Sequence, residues 1–269
     1  MQRGAPYDAR MRESRRAASS PSVLDRFWTA VRCRLQVSRY CREVLEAAGH
    51  APTAAPGQLP PRTLVVGNDP VRILLFGEGV TVGYGVGSRA EAIDGALAKR
   101  IAELTGRGVI LENRARPNVR VDEVVESLGG VGTHTFAVGV WSPALTETLE
   151  RLTLQGWRSR VTAMLQQIRA DSDMPLVIAQ LPVPSGTHPS VLILRPWYAR
   201  LNRTIAEVAA RFPDVVTVEL GTVVVPMRSG DPVLGTADYR RQADPLAEAV
   251  RRALWRSPSA SADALSPGR

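Results

Sequence analysis

Between Val71 and Trp255, short apolar runs alternate with stretches of helical period, and that alternation admits few folds. VRILLF (71–76), GVILEN (108–113), HTFAVGV (134–140), PLVIAQL (175–181) and DVVTVEL (214–220) read as strands. Their apolar character is continuous, so both faces of the sheet they form must be covered. The intervening helices are expected over 89–104, 119–128, 145–170, 196–211 and 236–255, the last bent or restarted at Asp244-Pro245. Ala90, Ile93, Leu97, Ile101 and Leu104 mark the buried stripe of the first. Five βα units predict a flavodoxin-like three-layer α/β/α sandwich with a five-stranded parallel sheet of order 2-1-3-4-5.

Five regions follow from this: a disordered basic tail (1–21), an amphipathic helix (22–49), a proline-rich connector (50–69), the α/β domain (70–256) and a disordered tail (257–269). Ser22 and Asp25 offer a capping box for the N-terminal helix. Its apolar stripe is Leu24, Phe27, Trp28, Val31, Leu35, Cys41, Leu45 and Ala48, with Arg26, Arg32, Arg34, Arg39 and Arg42 filling much of the remainder. Such a helix can dock on the domain, or residues 23–48 can make weak contact with an anionic membrane surface. Docking is the simpler use of the stripe.

Net charge is +8 overall, but it belongs to the ends. Residues 1–50 carry ten Arg against five acids, and residues 251–269 carry four Arg against Asp263. The 200 residues between them sum to zero, which argues against a nucleic-acid-binding domain. Cys33 and Cys41 would stand about 12 Å apart on one helix, beyond disulfide reach. A cytoplasmic, reducing location is expected, with no transmembrane run and no secretory leader. No His/Cys/Asp cluster has metal-ligand spacing, so neither metal nor cofactor is expected.

Ligand sites in such sheets lie beyond the carboxyl ends of the strands, near the switch in strand order. Here that end holds LLFGEGVTVGYGVG (74–87), where a strand meets a glycine-rich turn containing no Ser, Cys or Lys between Gly77 and Thr81. A Rossmann-like nucleotide site is one reading, with Glu112 as the ribose acid, but the helix starts too late to meet a pyrophosphate and Glu78 would repel it.

A second reading rests on resemblance. RILLFGEGVTVGYGVGSRAEAIDGALAKRIAELTGR resembles the opening block of SGNH/GDSL-type hydrolases, ENRARPNVRVDEVVESL the second, HTFAVGVWS the third and DPVLGTADYRRQADPLAEAV the closing region. The likeness spans residues 68–255. It implies an esterase-like fold, and it also implies that each catalytic position is substituted. The nucleophilic serine falls on Gly79 and the preceding Asp on Glu78. The oxyanion glycine falls on Asn118, the oxyanion asparagine on Trp141, and the closing Asp and His fall near Gly230 and Val233.

Three functions remain in play. The first is a catalytically inactive, esterase-like protein that binds a small molecule or protein. The second is an active ester hydrolase with an unconventional site built from Glu78, Thr81, His188 and Asp231. The third is the nucleotide-binding domain. Trp141 either plugs the emptied oxyanion pocket or forms a ligand platform with Asn118 and Ser142. Glu78 is either a solvated or Arg-paired turn residue or a general base.

Overall fold

The computed structural model describes residues 62–117, 119–143, 153–186, 189–224 and 234–256. The predicted N-terminal helix, both tails, most of the connector, and Asn118, His188, Gly230, Asp231 and Val233 lie outside them. The elements run β1 Arg62–Val65, β2 Val71–Gly77, α1 Ile93–Thr105, β3 Val109–Asn113, α2 Val121–Ser127, β4 Val138–Ser142, α3 Leu154–Asp171, β5 Leu176–Ala179, β6 Val183–Ser185, α4 Pro189–Ala209, β7 Val215–Val218, β8 Thr222–Val224 and α5 Thr236–Arg256.

The main sheet has the order β1-β3-β2-β4-β5-β7. Its five parallel strands stand in the order that the sequence predicts, and β1 adds an antiparallel edge, with Arg62 opposite Glu112 and Val65 opposite Val109. That strand corrects the connector boundary, because Arg62–Val65 belongs to the sheet. Only alternate residues of β1 are half-buried, so its pattern is faint in the sequence. A second, two-stranded parallel sheet of β6 and β8 was not anticipated either.

Both faces of β2 are buried, and two cores form as a consequence. Leu74, Phe76, Trp141, Trp157, Met164, Ile178 and Leu201 fill the side covered by α2, α3 and α4. Ile73, Leu75, Ile93, Leu97, Val140, Leu246 and Val250 fill the side covered by α1 and α5. Ala243 on α5 and Gly95 and Ala96 on α1 are small residues that line one groove between these two helices.

Several element bounds move from their expected places. Helix α1 begins at Ile93 rather than Arg89, because Ser88–Ala92 forms a turn. Strand β4 begins at Val138; His134 lies before it, exposed, in a 3-10 turn over Thr133–Thr135. Helix α3 starts at Leu154, where Thr153 accepts the Gly156 N–H on its side chain. Helix α4 starts earlier than expected and carries Pro196 inside it, and α5 runs through Pro245. The apolar faces continue across both prolines, and tertiary burial offsets the lost hydrogen bond. No helix among the described residues is long and apolar enough to cross a membrane.

Beyond β5, Asn202 on α4 fixes the chain where it leaves the sheet. Its Nδ2 donates to Leu181 O at 2.8 Å and its Oδ1 accepts the Leu181 N–H at 2.9 Å, both bonds being buried. Asn202→Ala would orphan a backbone donor and an acceptor, each costing about 1–3 kcal/mol when buried. Urea unfolding is expected to show a loss of roughly 2–6 kcal/mol with an unchanged m-value.

Candidate functional site

The carboxyl ends of β2 and β4 meet at closer range than two side-chain-bearing residues allow. Gly77 has φ +103°, and a Cβ placed on it would sit 2.1 Å from Ser142 O and 2.8 Å from Trp141 Cδ1. Only glycine fits there. The next residue, Glu78, is extended and donates its N–H to Ser142 O at 2.9 Å, which ties the turn to the end of β4. Gly79 follows with φ +66° and opens a 3-10 turn over Gly79–Val82. A Cβ on Gly79 would lie 3.2 Å from Pro143 O and 3.4 Å from Ser142 Oγ.

The polar groups of this turn hydrogen-bond locally. Thr81, almost fully buried, donates its hydroxyl to Glu78 O at 2.7 Å. Asn113, at the end of β3, donates from Nδ2 to Thr81 O at 2.8 Å and accepts the Ala115 N–H on Oδ1 at 2.9 Å. The loop after β3 folds back on the same turn, with Arg116 N–H donating to Gly77 O at 3.0 Å. Thr81 thus closes the turn through its hydroxyl.

Glu78 is buried, at 3% exposure, which corrects its reading as a solvated turn residue. Its neighbour in charge is Tyr84, whose phenol is pushed above its ordinary range first by burial and then by the Glu78 carboxylate. Trp141 is fully buried in the core beneath the turn, beside Phe76, and its Nε1 has no hydrogen-bond partner. An indole held this way fills space; it offers no open platform. Ser142 is also buried. The structure therefore brings Glu78, Gly79, Thr81, Trp141 and Ser142 together.

A second polar cluster lies under α1 and α5, and sequence reasoning missed it. Asp94, in the first turn of α1, has no exposed surface, and Arg89 Nη1 stands 3.6 Å from its Oδ2 without making a hydrogen bond. Burial pushes the Asp94 carboxyl above its ordinary value, and Arg89 offsets part of that. Tyr239 on α5 donates its hydroxyl to Tyr84 O at 2.7 Å, and its phenol is raised by burial and by Asp94. Gln242 is buried beside them on α5, its Oε1 without a partner. The available signal was an acid three residues before Leu97, on the helix face that had to be apolar.

No family model matches the sequence, and no curated protein matches it at a significant level. Solved structures do match. An acetyl xylan esterase from Geobacillus stearothermophilus superposes with a TM-score of 0.52 at 10% identity, covering 69% of this chain and 96% of the esterase. A lipase/acylhydrolase from Enterococcus faecalis gives 0.52 at 17% identity, covering 69% and 96%. An aryl esterase from M. smegmatis gives 0.52 at 15% identity, covering 68% and 99%. The chain has the fold of the SGNH-type esterases. At its strand-to-turn junction, Gly77 and Gly79 flank the buried Glu78.

Two outcomes follow for stability. Trp141→Asn is expected to cost about 3–5 kcal/mol, the range for removing a large buried aromatic, when read by urea unfolding. Asp94 sets a pH dependence. A carboxyl whose pKa is higher in the folded chain binds its proton more tightly there, so its stabilising share is full in acid and is lost as pH rises through the folded pKa. Asp94→Asn should therefore gain melting temperature relative to wild type as pH rises from about 4, where an unfolded Asp titrates. A difference that stays flat between pH 4 and 8 would rule this out.

Proposed function

We propose that this protein keeps the esterase fold without ester hydrolysis and acts as a binding or scaffold protein for a small molecule or another protein. The observation that carries the reading is Gly79, which has φ +66° at the position the sequence blocks align with the nucleophile. Acyl transfer needs a nucleophile, a base in hydrogen-bond reach and donors aimed at the oxyanion. Catalytic groups of this kind act as a unit, and losing the nucleophile costs on the order of 10⁶-fold in a model hydrolase. The nearby hydroxyl of Thr81 is committed to Glu78 O, which argues against a substitute nucleophile. Trp141, at the position aligned with the oxyanion asparagine, has an Nε1 buried away from solvent, which argues against its serving as an oxyanion donor.

Purified protein is expected to turn over p-nitrophenyl acetate and butyrate at the rate of a heat-denatured control and to remain unlabelled by a fluorophosphonate probe. Gly79→Ser should restore neither, and it should lower stability by about 1–2 kcal/mol, the cost of a side chain in the left-handed region. Ester turnover by wild type, or activity gained from Gly79→Ser alone, would overturn the reading, because either would reveal a general base already in place.

A further inference from the structure

The α1 side of the sheet is covered out to its edge, since α1 packs on β3 and β1, while among the described residues no helix packs on β1 or β3 from the opposite side to a similar extent. On that opposite side, strand register puts Arg62, Leu64, Arg72, Ile110 and Glu112 on one face. Leu64 is 66% exposed, Ile110 is half-buried, and Val66 just past the strand is exposed almost completely. Among the described residues, the helix next to this margin is α2, which crosses from β3 to β4 and packs on β2. The arginines of the margin are already engaged. Arg62 and Arg114 both pair with the buried Glu112, and the Arg72 guanidinium lies 4.5 Å from the centre of the Phe136 ring. What stays open is an apolar strip along β1 and β3, flanked by α2, which turns Asp122, Glu123 and Glu126 outward.

We propose that residues 24–45 of this same chain cover that strip as an amphipathic helix. Leu24, Phe27, Trp28, Val31, Leu35, Cys41 and Leu45 would lie on Leu64 and Ile110, and arginines would face the acids of α2. Connectivity favours this occupant. The chain enters β1 at Arg62, on the margin itself, and the intervening residues 46–61 can span up to about 50 Å. The segment would be about 33 Å long as a helix, enough to run the full length of the strip. Charge favours it too: the N-terminal fifty residues carry five of the chain's eight net positive charges, and Glu123 and Glu126 on α2 are exposed, while Asp122 already pairs with Arg120 and Arg160. The added helix completes on this side the layer that α1 completes on the other.

The native cysteines provide the test. In full-length protein carrying Cys33→Ser, Leu64→Cys places a thiol on the strip, and Cys41 lies on the apolar stripe. Mild oxidation is expected to form an intramolecular Leu64→Cys–Cys41 disulfide at least ten times faster than the same protein with Glu103→Cys, an exposed position on α1, which packs on β1 from the opposite side and so is similarly near the tether at Arg62. In a second arm, Leu64→Asp should speed tryptic cleavage at Arg26–Arg42 at least fivefold without changing the far-ultraviolet circular dichroism. Equal oxidation rates at the two sites would overturn the proposal, as would disulfide dimers as the main product, which would mean a second copy covers the strip. Flotation of wild type with vesicles containing phosphatidylserine, combined with tryptic cleavage indifferent to Leu64→Asp, would also overturn it in favour of a membrane-facing stripe.

Discussion

A single backbone hydrogen bond, from Glu78 N–H to Ser142 O, fixes the carboxyl end of the sheet. It forms only because Gly77 has no Cβ; any side chain would meet that same carbonyl at 2.1 Å. Once β2 and β4 are joined at this point, the rest of the region follows. The 3-10 turn over Gly79–Val82 has to rise directly from the junction, Thr81 folds back on Glu78 O, and Asn113 reaches across from β3 to hold Thr81 O. Trp141, one residue before the shared carbonyl, is driven down into the core beside Phe76.

How far the sequence discloses this depends on burial. The five parallel strands and their order are legible because residues such as Ile73, Leu75, Val138 and Ile178 are buried on both sides of the sheet and must be apolar. Strand β1 is not legible in the same way: RTLV follows two prolines, and only Thr63 and Val65 face a helix layer. Strands β6 and β8 are three residues each, too short for a period to emerge. The start of α1 is misread because Ala90 extends the helical stripe by chance, while Arg89 instead turns its guanidinium toward Asp94. Pattern reveals which face is buried, and it is silent about a buried polar residue placed on that face.

The candidate site was legible as a location and less so as an environment. Glu78, Thr81, Trp141 and Ser142 do converge, since strand ends and switch point follow from topology. Exposure does not follow from topology. Glu78, a charged residue in a glycine-rich turn, reads as solvated, yet the turn folds over it and leaves it almost no surface. Burial of a carboxylate is costly unless it is compensated, and the nearby Tyr84 phenol is raised first by its own burial and then by Glu78.

Most polar groups of the strand-to-turn junction are satisfied locally. Active sites keep groups under-satisfied or strained, because the compensating interaction is supplied by the substrate or the transition state. Here the polar atoms of the turn are paired with one another: Thr81 with Glu78, Asn113 with Thr81 and Ala115, Arg116 with Gly77. The exception, Trp141 Nε1, is sealed inside the core, where the area buried by the indole outweighs roughly 1–3 kcal/mol for one unpaired donor. Among the described residues, buried side-chain atoms without a hydrogen bond include those of Asp94, Arg89 and Gln242, where Arg89 and Asp94 are held as an ion pair.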